Sequence, residues 1–469
     1  MTGNEDDTGS SGSRIRRRKY LAMSAVGATG LAAGCGGDGG DGGDGGDGGS
    51  DGGDGGDDMS GEAIPLASFC PLSGAGAAFG PGQQAGFNMA IEDMNEAGGI
   101  IDGRMFEPIN RDSETKPSRA ASKLEGVISN ENIEAFVGTW SSGVSATLAP
   151  IAADNQIMQM GNGTTSPTLA QQGWVETDET DSGWRKYMGR TSPNDGSQGI
   201  AMAGALNNII EADTAAFMHV DNPYGAGLAR KAAESFDGEV TATVPVAKQT
   251  SDYSSALDQA FADDPDVFGL IVYPANGESI LQQWNRGGYG GTLVMSESMF
   301  APDVLEGLSD IVAGSYVTTT RLSGSSTEYF ESNLQDRMDQ DPTTFSHHSF
   351  DATMLIGLAA HAAGEFTGTA ISDNIQTVSR PPGEEIMAGP DEFERAKGLL
   401  DDGEEINYQG ASSSCDLTCF YEPYNSFRVL QLNQEDGSIS TETLNEFPAD
   451  FFQGKLYTQE QLDTYNCGE

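Results

Sequence analysis

From Ala63 onward, short runs rich in β-branched and aromatic residues alternate with longer stretches whose apolar residues recur every three or four positions. That alternation constrains the fold more than any other feature of the chain. A strand followed by a helix returns to its sheet as a parallel neighbour, so the repeated pattern selects the α/β class, with parallel sheets covered by helices on both faces. Strands are expected at 64–69, 106–110, 135–137, 157–160, 215–220, 240–246, 267–273 and 292–295. Helices are expected at 84–97, 118–128, 197–210, 225–236, 253–261 and 279–286. In the first helix Phe87, Ala90, Ile91, Met94 and Ala97 share one face, and Gly98-Gly99 follow as a left-handed cap. Eight strands before residue 300 suit two sheets better than one, and 469 residues exceed what a single core holds.

The first sixty residues read as address and tether. Arg16-Arg17-Arg18-Lys19 precede an apolar run at 22–33 that is too short to span a bilayer, the layout of a signal peptide at 1–34. Arg17 and Arg18 with Tyr20-Leu21 behind them resemble a twin-arginine export signal. Leu31-Ala32-Ala33-Gly34-Cys35 resembles a lipoprotein cleavage site, with Cys35 as the lipidated residue and a membrane-anchored, extracytoplasmic protein as the expectation. Residues 36–58 are almost pure Gly-Gly-Asp repeat, which offers no apolar surface to bury, so 35–60 is expected to be a disordered, flexible leash. No later apolar run reaches membrane-spanning length.

Charge excludes one class of partner. With 24 basic and 71 acidic residues the net charge is −47, and nucleic-acid phosphates would be repelled. The acids are spread along the whole chain, which points to a protein adapted to high salt, where screening removes most of the self-repulsion. Of five cysteines, Cys70, Cys415, Cys419 and Cys467 lie beyond the leader; in an exported chain they read as disulfides or free thiols, and Cys415 with Cys419 is one pair that could close locally.

Open parallel sheets place function just beyond the carboxyl ends of their strands. There the chain carries Gly138-Thr139-Trp140-Ser141-Ser142-Gly143 and Gly161-Asn162-Gly163-Thr164-Thr165-Ser166, which gather hydroxyls and backbone amides at helix starts, suited to a carboxylate or phosphate. Asp221-Asn222-Pro223-Tyr224, Tyr273-Pro274-Ala275-Asn276 and Ser296-Glu297-Ser298 add aromatic walls and an acid. Chemistry is poorly represented. Thr139 and Trp140 stand where a nucleophile elbow needs glycine, no Gly-Lys-Ser/Thr phosphate loop occurs, and no histidine lies in a metal-binding frame. The four histidines read as capping or packing residues. Neither a catalytic residue, a metal nor a cofactor is therefore expected.

Six segments, in order, resemble the solute-binding proteins of ATP-binding-cassette (ABC) transporters for branched-chain amino acids: PLSGAGAAFGPGQQAGFNMAIEDMNEAGGIIDGR, FVGTWSSGVSATLAPIAADNQI, TTSPTL, RTSPNDGSQG, VDNPYGAGLA and SDYSSALDQ. The resemblance covers about residues 62–450. It implies the type I periplasmic-binding fold, two Rossmann-like lobes with parallel sheets joined by a three-strand hinge that close on a ligand. The lobes would be 61–193 plus 322–408 and 194–321 plus 409–450, followed by a tail at 451–469; 372–407 reads as a longer version of the first lobe's last elements. Ser142, Gly163 and Thr165, with Ser141 and Thr164 beside them, would seat a carboxylate. Tyr273 and Glu297 would hold an ammonium group, with Asp195 and Tyr224 as further candidates, and Phe79 and Trp140 would line the side-chain pocket. The resemblance implies a monomer that passes a small amino acid to an ABC permease. Amides, urea and aromatic acids are ligands of the same fold, and a ligand-sensing receptor is the alternative role.

Overall fold

The computed structural model describes residues 61–247, 250–435 and 438–467. The expected signal peptide, Cys35 anchor and Gly-Asp leash lie outside the described residues. Two sheets carry the architecture. The first holds β1 (Ile64–Cys70), β2 (Phe106–Asp112), β3 (Ala135–Gly138), β4 (Met158–Gly161) and β5 (Met188–Arg190), in the order β2-β1-β3-β4-β5 and all parallel. The second holds β6 (Thr214–Val220), β7 (Glu239–Val246), β8 (Val267–Ile271), β9 (Thr292–Ser296), β10 (Tyr316–Arg321), β11 (Ser426–Glu435) and β12 (Ser438–Phe447). Its order is β12-β11-β10-β9-β8-β6-β7.

All eight expected strands form. The central strands are short and apolar because helices cover both faces, every residue of β3 and of β8 being buried, whereas the edge strands β2 and β7 are largely exposed or half-buried. The sheets are parallel as expected apart from one edge of the second, where β11 runs antiparallel to β10 and pairs with β12 as a hairpin. β12 is mostly exposed and polar, so an apolar-run search passes over it. The expected strand at 267–273 ends two residues early, because Pro274 opens the helix Pro274–Gly287 and Tyr273 becomes its cap.

The chain passes between the sheets three times. It leaves β5 through the helix Asp195–Ala205 to β6, and returns after β10 to the helices Thr327–Met338 and Ser346–Ala363. Phe330, Phe350 and Met354 of those helices share a core with Leu66 of β1 and Val137 of β3. It then crosses back to β11. Residues 372–407 form the end of the helix Gly368–Asn374, the helix Pro390–Asp401 and most of a small parallel pair, Glu384–Ile386 with Ile406–Tyr408. The bridge that forms is Cys419–Cys467 rather than the local Cys415–Cys419 pair, and Cys70 and Cys415 are buried free thiols. Cys467 follows the helix Gln459–Thr464, and Tyr465 stacks on Trp174 at 4.2 Å, so the last turn is pinned by both a covalent and an aromatic contact.

Candidate ligand-binding site

In each sheet the strand order reverses at one point: next to β1 in the first, next to β6 in the second. Loops diverge at such a point and leave a crevice. The loops after β1, β3, β6 and β8 bring Phe79, Trp140, Tyr224 and Tyr273 together. Their rings form a ladder, with centroids 5.3 Å apart for Phe79–Trp140, 4.7 Å for Trp140–Tyr273 and 5.7 Å for Tyr273–Tyr224, the last two rings nearly coplanar in orientation at 4°. All four rings are buried.

The ladder closes one side of a small cavity lined by Trp140, Tyr224 and Tyr273, by Gly163 and Thr165, and by Glu297 and Ser298. Its free space is about 10 Å³, the room of a single water molecule, so anything larger enters only when the walls part. Gly163 is required by close approach: a Cβ there would lie 2.8 Å from Trp140 Cδ1 and 3.0 Å from Phe345 Cδ2.

The two serines divide their work. Ser141 caps the helix Ser142–Asp154, and its Oγ lies 3.2 Å from the Tyr273 hydroxyl, which also accepts from Asn222 Nδ2 at 2.8 Å. Ser142 Oγ accepts the backbone N–H groups of Thr165 and Ser166 at 3.2 and 3.1 Å. It therefore fixes the 163–166 loop, and its own proton remains to donate. Thr164 turns away from the cavity wall; its carbonyl accepts from Arg190 and Ser192, while its buried hydroxyl has no hydrogen-bond partner.

Two carboxyl groups are buried here. Glu297 follows β9, and its Oε2 makes no hydrogen bond; burial pushes its carboxyl up to about 7, against the opposing pull of Gln198 and Tyr224. Asp195 begins the helix Asp195–Ala205, its N–H donating to Thr165 O at 2.8 Å, and neither carboxylate oxygen is hydrogen-bonded. Burial, then the Glu297 charge, raise the Asp195 carboxyl well above its usual range. The nearby cation is already engaged: Arg190, 2% exposed, pairs with Glu422, 1% exposed, and Asn194 and Tyr457 donate to the same carboxylate at 2.6 and 2.7 Å. The cavity is thus acidic at one end and rich in hydroxyls and amides at the other.

Of the residues put forward from sequence, Trp140, Gly163, Thr165, Tyr224, Tyr273 and Glu297 line this cavity. Ser141, Ser142, Thr164 and Asp195 stand behind its walls, and Phe79 lines a neighbouring cavity instead. Ser298 is a lining residue that sequence reasoning missed, although it sits in the quoted Ser-Glu-Ser loop; its Oγ donates to Val272 O at 2.7 Å and meets the Tyr224 hydroxyl at 2.8 Å. Among the described residues no cluster of side chains has metal-binding geometry.

Two sheets whose switch-point loops meet over one buried cavity define an α/β binding protein of the periplasmic type. The chain belongs to the periplasmic binding protein family, whose model matches residues 63–401. It is 31% identical over 390 residues to the chemotactic signal transduction system substrate-binding protein BasB of Halobacterium salinarum, covering 82% of this chain and 90% of that one. Its fold matches that of the leucine-binding protein LivK of Thermotoga maritima with a TM-score of 0.67 at 20% identity, covering 83% of this chain and 99% of the other. A solute-binding protein of an ABC transporter from R. palustris, solved with benzoate, superposes with a TM-score of 0.61 at 16% identity, over 82% and 96% of the two chains. These relatives are named as substrate-, leucine- or solute-binding proteins, and the family is a periplasmic, extracytoplasmic one. Among the described residues no helix is long and apolar enough to cross a membrane.

Proposed function

We propose that the chain captures a small amino acid, branched-chain or otherwise neutral, between its two sheets and delivers it to an ABC permease. The observation that carries this reading is Glu297, a buried carboxyl with an unshared oxygen, in one cavity with Thr165 and Gly163. A zwitterion needs such a pair of ends: an anion for its ammonium group, and hydroxyls and amides for its carboxylate. Ser142 holds the Thr165 loop at the carboxylate end through the two N–H groups it accepts, Tyr273 joins Glu297 at the ammonium end, and Asp195 adds a second negative charge behind it. The ring ladder shuts water out when the lobes, 61–193 plus 322–408 and 194–321 plus 409–450, come together. Before binding, they swing apart to admit the ligand.

Lipidation at Cys35 after twin-arginine export would hold the chain at the outer membrane surface by the Gly-Asp leash. A sensory role is the second reading, supported by the relative named for chemotactic signal transduction. In that role the closed form is recognised by a transducer instead of a permease.

A thermal-shift screen in molar salt tests the ligand class, because a ligand that binds only the native state raises its melting temperature. Aliphatic amino acids should raise it selectively. A rise with amides or urea alone would overturn the zwitterion reading.

A further inference from the structure

Beside the small cavity lies a larger one of about 530 Å³, within the ~300–1,000 Å³ typical of small-molecule sites. Phe79 and Phe345 divide the two: Phe79 stacks on Trp140, and Phe345 abuts Gly163. Its walls are mainly apolar, and Phe300 and Val304 line it together with those two rings. Two polar groups in its lining have no explanation in the fold.

The first is Arg428 on β11, half-buried, whose Nε is buried without a hydrogen-bond partner. Glu446, opposite it on β12, raises its affinity for a proton but is exposed and paired with Arg321 at 3.0 Å. The second is His348, 1% exposed, near the start of the 18-residue helix Ser346–Ala363. Both of its ring nitrogens lack partners. Burial, and then His347, hold the ring neutral, pushed down to about 3, so it offers one N–H donor and one acceptor. The acids lining this cavity, Glu331 and Asp341, are exposed, and Glu331 is engaged by His347 Nε2 at 3.2 Å. A buried imidazole with neither nitrogen bonded is costly, as is a buried guanidinium Nε–H without an acceptor, and native structures rarely keep such groups without a use.

We infer that this cavity is a second binding site, for a small monocarboxylate with an apolar body, whose carboxylate pairs with Arg428 and His348 while its body lies against Phe79 and Phe345. The assignment does not depend on what the smaller cavity binds. A planar guanidinium suits a carboxylate by its fork of donors, and the aromatic walls suit a flat or branched hydrocarbon.

Titration calorimetry of the chain with benzoate and with 3-methylbutanoate tests it, using wild type, Arg428→Gln and Arg428→Lys. Both probes should bind wild type and weaken tenfold or more in Arg428→Gln, with partial recovery in Arg428→Lys. Because Arg428 Nε has no hydrogen bond to lose and Glu446 is exposed, the unliganded Arg428→Gln protein should keep the wild-type melting temperature, which separates lost binding from lost folding. A crystal structure with benzoate should place its carboxylate on Arg428. Absence of binding by both probes, equal affinity in wild type and Arg428→Gln, or benzoate found between Thr165 and Glu297 would each overturn the inference.

Discussion

The Tyr273 hydroxyl and Ser141 Oγ lie 3.2 Å apart, and this contact joins the loop after β8 of the second sheet to the loop after β3 of the first. Few polar contacts link the two sides of the ring ladder so directly. A buried hydrogen bond contributes about 1 kcal/mol net. Ser141→Ala and Tyr273→Phe should therefore couple by about 0.5–1.5 kcal/mol in a double-mutant cycle read from denaturation midpoints. Strictly additive effects would show that the contact contributes nothing.

The raised Glu297 carboxyl sets a pH dependence whose sign follows from linkage. Its folded value, about 7, lies above its ordinary 4.5, so ionisation opposes folding and ligand-free stability from this group declines as pH rises from about 4.5 to about 7. Binding runs the other way. An ammonium group pairs with the ionised form alone, so affinity for an amino acid should rise by up to about tenfold per pH unit through that window and level off above about 7. Below about 7 complex formation should release a proton, visible as a heat that depends on the buffer. A flat affinity profile would remove Glu297 from the ammonium end.

Gly163 leaves no room for a side chain between Trp140 and Phe345. Gly163→Ala should force those rings apart and cost roughly 1–3 kcal/mol of stability, as overpacked cores do. The measurement is the melting temperature together with tryptophan fluorescence, since Trp140 would shift with the wall. Unchanged stability and emission would contradict the tight packing described here.

A net charge of −47 repels itself unless it is screened. The melting temperature should climb steeply from low salt to molar salt. An unresponsive midpoint would argue against adaptation to a saline setting.

How much of this was legible beforehand depended on how local each signal is. The central strands announced themselves because a strand buried on both faces is a short apolar run, as in AFVG at Ala135–Gly138. The loops after them could be located by the carboxyl-end rule alone. The hairpin of β11 and β12 could not, because Ser438–Phe447 reads SISTETLNEF and faces solvent. Nor could the pairing of Arg190 with Glu422, 232 residues apart, or that of Cys419 with Cys467, since nothing local in either partner specifies the other. Ser298 was overlooked because serine is common in turns and carries no distinguishing pattern.

The most direct test of the central claim is calorimetric titration of leucine into wild type and Glu297→Gln at neutral pH in molar salt. The account predicts one leucine per chain for wild type and an affinity lower by a factor of ten or more for Glu297→Gln, because a charge-assisted bond in a closed site is lost. Equal affinities would contradict it, as would 4-methylpentanoate, which keeps the carboxylate and lacks the amine, displacing leucine from wild type with an affinity equal to that of leucine.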